Sequence, residues 1–285
     1  MAGKMAEGHV CFLTMPILEQ TARRVASLLG RNSPLIKTLR PAYETLLTNL
    51  HGGNGIPWQV NGVEYRIDPK ERPRFAQNYE PETAAFLRKR IHSGMVCYEV
   101  GANVGAYVLQ LGHWSRPAGQ IVAFEPNSGA REVLARHIAW NGLEKRVQIV
   151  ASAVAAESGE LTLYAEGANG MSRLAQPNNA LIQTAHEERV PVTTVDAFCT
   201  ANTPPDVLLL DIEGFEIEAL RGAQSTILVH RPLIVVEMHP NVWASANTTR
   251  ESTEALLCKL RLHPVALSGQ RDPLAEHGQV WLEPV

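Results

Sequence analysis

Two acidic positions and a pair of glycines carry the densest chemistry in this 285-residue sequence. The run Tyr98-Glu99-Val100-Gly101-Ala102-Asn103-Val104-Gly105 joins an apolar stretch to an amphipathic one, as at a strand-to-helix junction. Gly101 permits the tight turn such a junction needs, and Gly105 lets the helix start approach a ligand. Glu99 supplies a carboxylate that can accept hydrogen bonds from an ammonium or hydroxyl group. The spacing is not the G-x-G-x-x-G of a pyrophosphate-binding turn, and an acid just before it disfavours phosphate. A cationic sulfonium nucleoside with an amino-acid tail suits the loop better. Glu125 ends the next apolar run, in Phe124-Glu125-Pro126-Asn127. An acid there can receive both hydroxyls of a ribose, as in other nucleotide-binding α/β folds. The plainer alternative is a solvated residue beside a helix cap.

These positions need a frame. From Met95 onward short apolar runs alternate with helical segments: Val96 to Val100, Ile121 to Phe124, Val147 to Val150, Val207 to Leu210 and Leu233 to Val236. That pattern predicts a doubly wound α/β fold whose mostly parallel sheet is covered on both faces. A helix from about Gly129 to Trp140 sets Ala130, Val133, Leu134, His137 and Ile138 on one stripe, with Asn127 or Ser128 as its start and Asn141-Gly142 as its stop. Near the C-terminus a helix at Glu251 to Leu260 precedes strands at Val265 to Leu267 and Gln279 to Leu282. Their connection is too short for a helical crossover, so about seven strands with the last antiparallel are expected. An insertion at about 160–195 would pair Glu160 to Tyr164 with Arg189 to Val195 around a polar segment. A loop of that length marks a lid or a substrate loop.

Three regions follow. Residues 94–285 form the core domain. Residues 58–93 hold a hairpin turning at Asn61-Gly62 outside the main sheet, and a helix from Pro81 to about Ile91 closed by Gly94. Residues 1–57 form a helical extension of short helices broken by Pro16, Pro34 and Pro41, with a basic excess. It reads as a cap over the site; peripheral membrane contact or homodimerisation through these helices are the alternatives.

Composition narrows the partners. The chain is 45% apolar with a formal net charge of -3, enough for a full core and too acidic for a phosphate-tracking surface, so nucleic acid is excluded as a partner. Cys11, Cys97, Cys199 and Cys258 lie far apart, without metal-ligand or disulfide-framework spacing. With no apolar run long enough to span a bilayer and no signal-like start, a cytoplasmic protein is expected.

One ordered series of motifs resembles the FkbM-type methyltransferases from about Tyr79 to His239. It comprises Tyr79-Glu80-Pro81-Glu82, Glu99 to Gly105, Ala123-Phe124-Glu125-Pro126, Asn141-Gly142, Ala153 ahead of Ser158-Gly159, Thr194-Val195-Asp196, Asp211-Ile212-Glu213-Gly214-Phe215-Glu216, Leu220 to Ala223 and Val236-Glu237-Met238-His239. Leu209 stands where such families commonly place Lys, and Glu99 where Asp is commoner. The resemblance implies a class I, Rossmann-like methyltransferase domain using S-adenosyl-L-methionine. It implies that Glu99, Gly101, Asn103 and Gly105 line the methionine end, that Glu125 holds the ribose, that Ser152 and Ala153 lie beside the adenine, and that Asp211 sits near the transferred methyl.

The expected reaction is O-methylation of a hydroxyl on a sugar or small-molecule natural product. N-methylation of a peptide or amine, or a non-catalytic cofactor-binding module, are the alternatives. His239 is the leading base, since an imidazole can take a hydroxyl proton at neutral pH, with Asp211 and Glu213 as its catalytic companions. A structural histidine is the plainer reading. Tyr79, Glu80, Met171, Ser172 and Glu237 are candidate acceptor contacts. A metal is not required, although Asp211, Glu237 and His239, with Glu213 nearby, could converge on Mg²⁺. His92, His113, His186, His230, His263 and His277 match no motif.

Overall fold

The computed structural model describes residues 33–165 and 186–285, together with positions 21, 24, 25 and 28–30. Among them the first complete element is α1 (Pro34–Leu50), capped by the Ser33 hydroxyl, which accepts from the Ile36 amide at 3.3 Å. The sequence reading broke this helix at Pro41, but it runs straight through, because a proline interrupts a single backbone bond and the turns on either side remain paired. Phe12, Leu13 and Pro16 lie outside the described residues.

Strands β1 (Ile56–Val60) and β2 (Val63–Ile67) form the expected hairpin as a two-stranded sheet of their own, beginning two residues earlier than the sequence indicated. Asn61 and Gly62 both take positive φ, as their turn requires. Ile56, Val60, Tyr65 and Ile67 belong to the same buried cluster as core-domain residues Leu109 and Leu111, so the hairpin is part of the main core. A short 3₁₀ turn (Pro69–Arg74) and α2 (Pro81–Arg88) lead into the domain.

The central sheet uses β3 (Val96–Val100), β4 (Gln120–Phe124), β5 (Val147–Val150), β9 (Val207–Leu210), β10 (Leu233–Met238), β11 (Leu262–Ala266) and β12 (Gly278–Pro284) in the spatial order β11-β12-β10-β9-β3-β4-β5. All adjacent pairs are parallel except those made by β12, which runs against both β10 and β11. The expected seven-stranded, doubly wound architecture is present. Side-chain alternation splits the core: Cys97, Leu209 and Val235 join the cluster on one face, and Tyr98, Leu208, Leu210, Ile234 and Val236 the cluster on the other.

Helices cover both faces. They include α3 (Ala106–Trp114) and α4 (Ser128–Trp140), the latter capped by Asn127 with Ala130, Val133, Leu134, His137 and Ile138 buried as the stripe predicted. Then come α5 (Val195–Cys199), α6 (Glu216–Arg221), α7 (Gln224–His230) and α8 (Arg250–Leu260). The insertion pairs β7 (Gly159–Ala165) with β8 (His186–Thr193) antiparallel, and β8 also pairs in parallel with a short β6 (Ala153–Val154). Val195, read as strand from sequence, instead opens α5, because the Thr194 hydroxyl caps the Ala197 amide at 2.9 Å. Among the described residues, no helix is long and apolar enough to cross a membrane.

Candidate functional site

The chain leaves β3 towards β4 and β5 on one side and returns to β9 and β10 on the other, so a crevice opens where β3 and β9 diverge. Ligands in open α/β sheets bind at this switch point, beyond the carboxyl ends of the strands. The turn after β3 fits closely against its neighbour. Gly101 has φ +91°, and a Cβ there would collide with the Asp211 carbonyl oxygen. Gly105, at φ +96°, has Leu134 Cδ1 2.6 Å from where its Cβ would lie, so its bareness lets α4 pack against the start of α3.

Glu125 is 5% exposed and held at both oxygens: Asn103 N–H donates to Oε2 at 2.7 Å and Asn127 N–H to Oε1 at 2.8 Å. Burial nevertheless pushes its carboxyl up to about 7, against these two donors. Glu99, 4% exposed, is pushed well above the carboxylate range by burial and by the nearby Glu125 and Glu80 charges. Its Oε2 and the Asn103 Oδ1 have no hydrogen-bond partner among the described residues. Buried acceptors left open in this way are what a ligand's ammonium and hydroxyl groups would satisfy.

An open cleft runs over this turn, lined by Gly101, Asn103, Glu125, Ser152, Ala153 and Asp211, with Val154 and Leu163 as an apolar wall. Glu99 and Gly105 do not line it: Glu99 lies buried in β3, and Gly105 serves helix packing. Leu163 comes from the β7 hairpin of the insertion and was not among the residues singled out in sequence.

A second group gathers at the ends of β9 and β10. His239, 7% exposed, has Nδ1 at 2.8 Å from Glu216 Oε1 and 3.1 Å from the Glu237 carbonyl oxygen. Both partners are acceptors, so Nδ1 carries the proton and the neutral ring keeps its lone pair on Nε2, 3.6 Å from Glu213 Oε2. Burial lowers the His239 pKa, but the Glu216 hydrogen bond and the charges of Glu216, Glu213 and Glu237 outweigh it, and the net shift is upward. Asp211 is pushed well above its usual range by burial and by Glu237, with which it is hydrogen-bonded. His277 Nε2 lies 3.0 Å from Glu237 Oε1.

The other sequence candidates divide. Glu80 accepts from Tyr107 OH at 2.7 Å and is pushed up to about 7 by burial, and the Tyr79 and Tyr107 rings meet edge-on at 5.3 Å. Tyr79 packs against the core, and burial together with the Glu80, Asp211, Glu99 and Glu237 charges pushes its hydroxyl up; neither it nor Glu80 lines the cleft. Met171 and Ser172 lie outside the described residues. Asp211, Glu237 and His239 do not close as one compact donor set. Among the described residues the sets are Asp211–Glu213–His239 and Glu237–His239–His277. Glu216 sat inside a recognised motif without a role, and His277 carried no sequence signal.

A parallel sheet with one reversed strand and a cleft at the first strand's glycine turn defines a class I methyltransferase fold. The family model for the methyltransferase FkbM domain matches residues 99–261, and the chain belongs to that family. Among solved structures it is similar to the methyltransferase FkbM of Methylobacillus flagellatus KT, at 15% identity and a TM-score of 0.49 over 94% of this chain and 59% of that one. It is also similar to Aeropyrum pernix fibrillarin in complex with natively bound S-adenosyl-L-methionine, at 13% identity and a TM-score of 0.43 over 80% of this chain and 82% of that one. A third is the StiE O-MT, residues 942–1257, at 14% identity and a TM-score of 0.42 over 70% of this chain and 56% of that one. The chain thus spans about three-fifths of the length of the Methylobacillus protein. No curated protein matches it.

Proposed function

We propose that this chain transfers the methyl group of S-adenosylmethionine to a hydroxyl oxygen of a sugar or another small-molecule natural product. The observation that carries the reading is Glu125, locked by two backbone amides under an open cleft beside the unpartnered Oε2 of Glu99. The residues fit the cofactor in kind. Each Glu125 oxygen keeps a lone pair for a ribose hydroxyl, Asn103 offers an acceptor to the amino-acid end, and Ala153, Val154 and Leu163 offer apolar surface to the base. Asp211 borders the crevice where a sulfonium would lie, and a cation there would draw its carboxyl back towards the charged form. When bound, the cofactor supplies an electrophilic methyl group on a cationic sulfur.

The remaining work falls to the chain. The acceptor must be held in line at near-attack distance and must lose its proton. Glu216 fixes the His239 ring and turns Nε2 towards Glu213, so His239 is the centre at which the proton is removed, with Tyr79 and Glu80 at the acceptor's edge. Calorimetry with S-adenosylmethionine and S-adenosylhomocysteine, then transfer of labelled methyl to sugar, macrolide and peptide panels, tests the reading. Absence of binding to either nucleoside sinks it, and a labelled nitrogen in the product would replace O- by N-methylation.

A further inference from the structure

The pairing of β10 with β12 brings donor side chains together from two strands far apart in sequence. Glu237 faces Gln279 and Met238 faces Gly278 in register, so one step further His239 comes opposite His277. Residues two apart on a strand share a face, which puts Glu237, His239, His277 and Gln279 on one side of the sheet. The ring centroids of His239 and His277 are 4.7 Å apart. One donor atom each from Glu237, His239 and His277 lies within 4.8 Å of the others.

We propose that Glu237, His239 and His277 bind one divalent transition-metal ion of borderline softness, of the class of Zn²⁺, Mn²⁺ or Fe²⁺. Two imidazole nitrogens and one carboxylate oxygen are a set such ions favour, whereas Mg²⁺ takes oxygen donors and keeps its waters. The surroundings have the form of a metal centre. Glu216, fully buried, accepts from Nδ1 of His239 and so leaves Nε2 as the ring nitrogen open to a metal, the outer-shell arrangement that fixes the tautomer of a ligating histidine. Independently, Gln279 is 4% exposed, yet its Oε1 has no partner among the described residues. It stands directly across from Glu237 on the ligand face, where a metal-bound water could donate to it. The His277 side chain is 57% exposed and leaves an entry path from solvent.

The inference concerns the acceptor side of the methyl-transfer site proposed above and rests on that reading only for its role. With the ion bound, the His239 lone pair is engaged and the ion acidifies a coordinated acceptor hydroxyl. In that case Glu213, whose Oε2 lies 3.6 Å from His239 Nε2, replaces the free His239 ring as the base: the O–H bond breaks towards it as the oxygen bonds to the methyl carbon and the sulfur–carbon bond breaks.

The test uses the full chain, stripped with a chelator and titrated with Co²⁺, Zn²⁺ and Mg²⁺ by calorimetry, with the visible spectrum of the Co²⁺ form as a second readout. One Co²⁺ or Zn²⁺ per chain is expected, with a spectrum of nitrogen ligation and weaker binding of Mg²⁺. Glu216→Gln should weaken Co²⁺ binding about 10–100-fold through lost orientation, and His277→Ala at least as much. S-adenosylhomocysteine affinity and thermal melting, measured on the same His277→Ala sample, should stay unchanged, which excludes misfolding. Absence of a bound ion in the wild type, tighter Mg²⁺ than Zn²⁺ binding, or equal affinity in both His277→Ala and Glu237→Gln overturns the proposal. A chain that binds Co²⁺ as described but neither nucleoside keeps the ion site and loses the methyltransferase reading.

Discussion

Glu125 ties the turn after β3 to the start of α4 and faces the cleft, where it is proposed to hold a ribose. Its two backbone donors hold it still in a cleft where burial alone would drive it towards the neutral form. Glu125→Ala should weaken S-adenosylmethionine binding by about 1–3 kcal/mol through loss of charge-assisted hydrogen bonds, and calorimetry reads this directly. Unchanged affinity removes Glu125 from the ribose site. On the proposal that the acceptor proton is removed at His239, His239→Ala should lower turnover by about 10²–10⁴ while leaving cofactor affinity nearly intact. Steady-state kinetics beside calorimetry separates the two effects, and full turnover in the variant would end its role.

A third residue sets a pH limit on the fold. His137 is fully buried, donates from Nδ1 to the Val104 carbonyl at 2.7 Å and accepts from the Asp68 amide on Nε2 at 2.8 Å. Only the neutral ring can do both, and burial pushes its pKa down to about 4. The unfolded chain takes up this proton near the ordinary value of 6.5 and the folded chain does not. Stability is therefore intact above that value and falls by ~3 kcal/mol as the pH drops towards 4. Urea unfolding across this range should show the loss, and a flat profile there would contradict the assignment.

At the scale of elements, the hairpin is fastened to the core by a side chain that imitates a strand. The Asn141 amide accepts from the Arg66 N–H at 2.9 Å and donates to its carbonyl at 2.8 Å, a ladder-like pair on the edge of β2. Asn141→Ala should cost about 1–2 kcal/mol and speed hydrogen exchange at the Arg66 amide. Unaltered exchange there would show that the hairpin is held by its apolar face alone. The helix and strand positions were largely legible because periodicity is local: the stripe of α4 and the apolar runs of β3, β4, β5, β9 and β10 each declare themselves within a dozen residues. Pro41 and Val195 were misread for the complementary reason. A proline's cost is set by how well the surrounding turns stay paired, and an apolar β-branched residue follows a cap as readily as it ends a strand.

For the whole molecule, the cleft draws its apolar lining from two buried clusters, Val100, Phe124 and Val154 from one and Ala153 and Leu163 from the small sheet's. Cofactor binding should therefore stabilise the folded state globally. At a hundredfold excess over Kd the gain is about 2.7 kcal/mol, and the melting temperature should rise by roughly 5–10 °C in differential scanning calorimetry. No rise with S-adenosylhomocysteine would count against the site. Leu35, Leu39, Leu46 and Leu50 lie exposed along one stripe of α1, which supports the proposal of a homodimer through the N-terminal helices. A purely monomeric sedimentation profile would reject it.

The sequence by itself determined the sheet and the turns that border the cleft. Strand-end motifs such as Glu99 to Gly105 and Phe124 to Asn127 each pack turn, cap and ligand groups into a few consecutive residues, and a short-range pattern is readable without the fold. Only the tertiary structure decided the cluster around His239. Glu216 meets His239 across 23 positions, and His277 reaches Glu237 through the antiparallel register of β12 on β10. Such pairings are fixed by which strands become neighbours and by a register that burial of one face enforces, and neither leaves a mark in the local run of residues.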